Sequence, residues 1–220
     1  IKIVIDSACE NNGKLNTKVK IDVAPLIIDV DETTYIDDET LNRPKFLNAI
    51  ANMKTFRTSC PSVDAYLKLY EGDEDVLVLT ISSNLSGSYQ SAMSAKQQYY
   101  ENTGSTKKIH VFDSRSASAG EASVLLKMIE CVEEGFTFEE IVEKVEEFIG
   151  RNKTLFMLHD LNVLAKAGRV SNLIASTTSV LNIRCIMGAS SDGKIELVQK
   201  VIGEKRCIKN LASTIASLLG

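Results

Sequence analysis

VLVLTI, residues 76 to 81, is apolar at nearly every position and no longer than a strand. A strand with one wet face alternates apolar and polar residues. A continuous apolar run implies that both faces are covered, as in a parallel sheet between two layers of helices. IKIVI at 1 to 5 and IHVF at 109 to 112 read as buried strands too, and VAPLIIDV at 23 to 30 reads as one more. Helical spacing fills the gaps. PKFLNAIANM runs from 44 to 53, with Pro44 suited to a first helical position. In SVDAYLKLYE, Val63, Tyr66, Leu67 and Tyr70 share one face. A further helix carries Tyr89, Met93 and Tyr100, and another runs from about 118 to 134 through Val124, Leu125, Met128 and Val132 until Gly135 ends it. TFEE at 137 to 140 has the form of a capping box, opening a helix with Ile141, Val145, Phe148 and Ile149 on one face. This rhythm predicts an α/β fold over residues 1–150, a mostly parallel sheet with helices on both faces.

Near residue 150 the pattern changes. TLFMLH from 154 reads as a strand, LNVLAKAGR as a short helix stopped by Gly168, and SNLIASTTSVL as another helix. IRCIM and KIELVQKV flank ASSDG, whose Asp192-Gly193 suits a hairpin turn. The last helix holds Ile208, Leu211, Ile215 and Leu218. Residues 151–220 are therefore read as a smaller α+β second domain, incomplete at its C-terminus.

Charge and cysteine usage narrow the function. A net charge of −4 with interspersed signs argues against a nucleic-acid footprint. No apolar run approaches the ~20 residues of a membrane-spanning helix. Five scattered cysteines without a CxxC fit reduced thiols in a cytoplasmic protein. With only His110 and His159, a structural zinc site is not expected. The phosphate-binding patterns GxxxxGK[ST] and GxGxxG are absent, so no nucleotide cofactor is expected.

Small hydroxyls cluster where strands end and helices begin: TSCPS at 58 to 62, SSNLSGS at 82 to 88 and DSRSAS at 113 to 118. Asp6-Ser7, Ser82-Ser83 and Asp113-Ser114 fall at the carboxyl ends of strands, where open parallel sheets bind ligands. Thr58 to Cys60 are placed at a helix N-terminus, with Pro61 in its first turn. Helix-start N–H groups and hydroxyls favour a small anion. None of the clusters contains a lysine, which favours a lone carboxylate over a polyphosphate. The plainer reading is that these residues cap helices. Arg57 and Arg115 flank the clusters and read as solvated charges.

The same stretches carry a family resemblance. DSA at 6 to 8, Pro25 in APL, YID at 35 to 37, TSCPS, SSNLSGSYQSA at 82 to 92 and FDS at 112 to 114 occur in the order typical of the DegV family. LNVLAKAGRVS at 161 to 171, LNIR at 181 to 184 and DGKI at 192 to 195 continue it, so the resemblance covers essentially the whole chain. It implies a two-domain protein that binds one long-chain fatty acid, tail in an apolar tunnel and carboxylate at the domain junction. It also implies, for FakB-like members, a separate fatty-acid kinase as partner. Thr58 matches the family's carboxylate-binding threonine. The second contact, a serine, falls on Ser86 or Ser83, and the two remain open. Ser59, Asn84 and Gly87 are further candidates, with Ser88 beside them, and Arg169 resembles the family's arginine near the junction. Its alternative is a charge on a helix C-terminus. The chain departs from the family at Cys60, where Gln is usual, at Ser88, where Thr is usual, and at Ala167-Gly168, where two glycines are usual. Relatives also continue into a section with a histidine that helps hold the carboxylate; no histidine follows His159 here.

The expected role is thus a fatty-acid carrier without catalysis of its own, with the tail against Leu26, Ile28 and Ile81. The competing reading is an acyl-transfer enzyme with Cys60 or Ser86 as nucleophile. That reading needs a base within hydrogen-bond reach, and neither histidine sits in a recognisable motif.

Overall fold

A computed structural model of the chain describes residues 1–10, 15–158, 161–170 and 183–219. Four parallel strands form its central sheet: β1 (Lys2–Asp6), β2 (Ile21–Ala24), β6 (Val76–Thr80) and β7 (Ile109–Asp113), in the order β2-β1-β6-β7. The apolar runs make this arrangement stable, because successive side chains point to opposite faces and both faces are covered. Ile3, Ile5, Leu77, Leu79 and Phe112 pack under α4 (Ala119–Glu133) and α5 (Phe138–Arg151). Val4, Val76, Val78, Ile109 and Val111 pack under α2 (Val63–Leu69) and α3 (Ser88–Thr103). The chain moves from β1 to one neighbour, β2, and later returns to the other, β6. This reversal leaves a crevice beyond the carboxyl ends of β1 and β6.

The segment 23–30 is two strands rather than one. Pro25 has no N–H for a ladder, so β2 stops at Ala24 and β3 (Ile27–Val30) begins in a different sheet. That sheet is antiparallel, ordered β4-β3-β5, with β4 (Thr33–Ile36) and β5 (Phe56–Ser59) on either side. The helix expected at 44 to 53 is α1 (Arg43–Ala51), with Pro44 in its first turn. A second correction concerns Thr58 and Ser59. They end β5, paired with Ile28 and Ile27, and do not open a helix. The helix start lies three residues on, where Ser62 caps α2 by accepting the Ala65 N–H at 3.1 Å.

α5 opens with the full capping box: Thr137 Oγ1 accepts from the Glu140 N–H, and Glu140 Oε2 accepts from the Thr137 N–H at 2.8 Å. Thr137→Ala is expected to cost about 1 kcal/mol of stability, read as a shift of the urea midpoint at constant slope.

The remaining strands form a third sheet, β10-β9-β8, built from β8 (Leu155–Leu158), β9 (Ile183–Ala189) and β10 (Ile195–Ile202), all antiparallel. α6 (Asn162–Lys166) ends at Gly168, whose φ of 77° is the left-handed conformation expected of the stop. α7 (Glu204–Leu219) covers the other side, around Ile186, Val201 and Cys207. The helix expected from SNLIASTTSVL, and His159, lie outside the described residues. Among the described residues, no helix is long and apolar enough to cross a membrane.

Candidate functional site

The crevice beyond β1 and β6 opens into a cavity of about 700 Å³. Its apolar wall includes Leu26, Phe56, Ile81, Leu85, Leu155 and Leu164. The cavity therefore lies between the strand ends, the β5 edge and the third sheet. It is not a space between the central sheet and its helices. Leu26 and Ile81 line it as expected; Ile28 is not part of the wall.

Strand alternation brings Thr58 to this wall. Phe56 and Thr58 are half-buried and line the cavity, while Arg57 between them is exposed. Ser59 and Cys60 border it as well. Cys60 Sγ is 3.6 Å from Ser91 Oγ. Gly87 backs this thiol closely: a Cβ there would stand 3.2 Å from Cys60 Sγ. Gly87 therefore makes room for its neighbour and does not itself reach the cavity wall.

Of the two candidate serines, only Ser86 lines the cavity. Its Oγ accepts the Ser88 N–H at 3.3 Å, which leaves its own proton free to donate. Ser83 is exposed and turned to Asp113, with Oγ donating to Oδ2 at 2.5 Å and its N–H to Oδ1 at 3.1 Å. Asn84 is likewise committed elsewhere, its Nδ2 donating to the Asp192 carbonyl at 2.6 Å. Arg169 stands on the wall, and Nε donates to the Leu85 carbonyl at 3.0 Å. The same guanidinium donates to the Ala167 carbonyl at the end of α6. The helix-end reading of this arginine fits that bond, and its bond to Leu85 fixes the residue before Ser86.

Asn84 belongs to a clasp that the sequence did not reveal. The turn between β9 and β10 docks on the 82–88 loop, with Ser82 Oγ donating to the Gly193 carbonyl at 2.9 Å. Gly193 has φ 83°, and a Cβ there would lie 2.3 Å from Ser82 Oγ and 2.8 Å from Arg115 Cα. Beside it, Ser116 Oγ and Thr154 Oγ1 are 2.6 Å apart, and Asn152 Nδ2 donates to the Gly120 carbonyl at 2.9 Å. Gly193→Ala is expected to cost roughly 2 kcal/mol through backbone strain and this clash. Thermal unfolding checks it; an unchanged midpoint would remove the close approach from the account.

His110, the other histidine, lies on β7 with Nε2 3.4 Å from Glu146 Oε1, and it does not line the cavity. Hydroxyls thus line several walls, Arg169 and Lys153 add cations, and most of the remaining surface is apolar: a shape suited to a long apolar ligand with one anionic end.

The family model described as an uncharacterised protein of the DegV family matches residues 1–218. The chain belongs to the DegV family. A DegV domain-containing protein of Streptococcus pneumoniae is 36% identical over 212 residues, covering 94% of this chain and 75% of that protein. A DegV family protein of Ruminococcus gnavus, solved with vaccenic acid, superposes with a TM-score of 0.90 at 37% identity, over 98% of this chain and 77% of that one. The Streptococcus pneumoniae fatty acid kinase B3 protein, loaded with linoleic acid, gives a TM-score of 0.92 at 33% identity, over 98% and 78% of the two chains. The mixed architecture, a parallel sheet flanked by helices plus antiparallel sheets, is that of these DegV structures.

Proposed function

We propose that this DegV protein binds one long-chain fatty acid, tail in the cavity and carboxylate against Thr58 and Ser86, and presents it to a fatty-acid kinase. The observation that carries the reading is the cavity itself: about 700 Å³, apolar over most of its wall, with Thr58, Ser86 and Arg169 on it. The relatives solved with vaccenic and linoleic acid support the ligand class, and the kinase-associated relative supports the partner. The tail gives affinity, since each buried methylene contributes ~0.8 kcal/mol. The hydroxyls orient the head and reject tails that lack one. Thr58 and Ser86 donate to the carboxylate, with Ser59 beside them, while Arg169 holds the loop and contributes positive charge. Ser83, Asn84 and Gly87 shape the loop behind Ser86. A division near residue 151, after α5 and before the third sheet, would make the cavity a junction between two domains.

Titration calorimetry with oleate and oleyl alcohol tests the head-group site. Oleate is expected to bind at least about tenfold more tightly, the value of one charge-assisted hydrogen bond. Equal affinities would contradict a carboxylate site.

One observation favours the enzyme reading: Cys60 borders the cavity. A nucleophile needs a base in reach, and among the described residues no histidine lines the wall. The carrier reading predicts that purified protein turns over no long-chain acyl ester, and that Cys60 reacts with iodoacetamide no faster than an ordinary thiol. Ester turnover lost in Cys60→Ala would reverse the assignment.

A further inference from the structure

Two acids are sealed behind the cavity wall. Asp6, at the end of β1, and Glu121, in the first turn of α4, are both 0% exposed. Their surroundings differ sharply. Asp6 accepts the N–H groups of Ala8 at 3.1 Å and Ile81 at 3.0 Å, and the Ser88 hydroxyl at 2.5 Å. Ser88 Oγ in turn lies 2.7 Å from the Tyr66 hydroxyl. Neither carboxyl oxygen of Glu121 accepts a hydrogen bond among the described residues; the side chain it bonds with is the Asp6 carboxyl, to which it can donate only while it keeps its proton.

No cation contacts either acid among the described residues. The titratable groups that face the pair are Cys9 from the loop after β1, Tyr66 from α2 and Asp113 from the end of β7, with the exposed Glu10 acting on Cys9 alone. From α3 comes only the neutral Ser88. A buried carboxylate with neither a donor nor a cation beside it neutralises itself by keeping its proton. Burial first, and then the field of Asp6, push Glu121 well above the usual carboxylate range. Burial also raises Asp6, but its hydrogen bonds oppose the rise.

The pair is tied to the site. The Ile81 N–H that Asp6 accepts belongs to a wall residue, and Gly120, the neighbour of Glu121, is another. Ser88, bonded to Asp6, donates its N–H to Ser86 Oγ at 3.3 Å. We propose that Glu121 is kept as a neutral acid beside an ionised Asp6, and that this one-charge pair positions the Ser86 segment for an incoming carboxylate. The positioning half rests on the fatty-acid reading above; the neutral-acid half does not.

Glu121 is a positioning residue, and its proton has a readable consequence. In the unfolded chain Glu121 titrates near its ordinary value of 4.5, whereas in the folded chain it holds the proton to higher pH. Unfolding therefore releases a proton above about pH 4.5, and native stability falls as pH rises towards the folded value. Gln at this position keeps the shape and cannot ionise. E121Q should match the native chain near pH 4 and exceed it increasingly above, by roughly 3–5 °C of unfolding midpoint per pH unit.

The experiment is thermal unfolding of native chain and E121Q from about pH 4 to about pH 9, paired with oleate and oleyl alcohol titrations over the same range. The expected result is a widening midpoint gap, with oleate affinity falling several-fold at alkaline pH in the native chain only and alcohol affinity level in both. Parallel unfolding profiles would overturn the neutral acid. A widening gap with identical oleate profiles would overturn the positioning role. Failure of both proteins to bind oleate at any pH would overturn the fatty-acid reading and with it the positioning, while the unfolding profiles still decide the proton.

Discussion

Ser123→Phe is expected to weaken oleate binding about 100-fold and decanoate binding by less than about threefold. Ser123 lies on α4 about one turn in from the rim, half-buried, and lines the cavity. Its hydroxyl donates to the Gly120 carbonyl at 2.7 Å, but that carbonyl also accepts from Asn152 Nδ2 at 2.9 Å, so its loss strands no backbone group. Phenylalanine and serine have similar helix propensities, and the ring would fill cavity space that the proposed tail occupies. Excluding about four methylenes at ~0.8 kcal/mol each removes about 3 kcal/mol. A ten-carbon acid is expected to stop short of that space. Fluorescent-probe displacement by both acids measures the contrast. Equal losses would mean that the substitution damages the fold or the head site, and no loss would mean that the tail runs elsewhere.

The second large effect is expected from removing both hydroxyls. Thr58→Ala alone should cost ~1–2 kcal/mol of oleate affinity, one hydrogen bond to a charged group. Thr58 comes from β5 and Ser86 from the loop before α3, so the two hang on separate elements. The double substitution should cost ~3 kcal/mol, with any excess or shortfall reporting their coupling through the shared carboxylate. Oleyl alcohol binding should barely change, because the tail contacts remain. If each single substitution left oleate affinity intact in folded protein, the carboxylate would have to sit elsewhere on the wall, with Arg169 the next candidate.

In the central sheet β1, β6 and β7 were legible because they are buried on both faces and read as apolar runs, whereas the edge strand β2, partly exposed and carrying Asp22, was not. The antiparallel β4-β3-β5 sheet was not. Its strands are four residues long and partly exposed, so the β3 signal merged with β2 across Pro25. This merger also misplaced Thr58, since β5 can be recognised only once β3 is free to pair with it. The clustering of hydroxyls pointed to the rim where Thr58 and Ser86 line the cavity, yet composition could not separate Ser86 from Ser83. That separation rests on Asp113, which captures Ser83 from a strand thirty residues away. Glu121 had no sequence signal at all. An acid in a helix's first turn is ordinarily a solvated partner of the helix dipole, and only the packing of α4 against the sheet end buries it.

The most direct measurement is native mass spectrometry of the purified protein, followed by denaturing extraction and lipid analysis. One fatty acid per chain is expected, carried through purification or taken up on incubation with oleate, and lost from Ser123→Phe. A chain that stays empty as isolated and after incubation with saturated and unsaturated long-chain acids would contradict the fatty-acid reading.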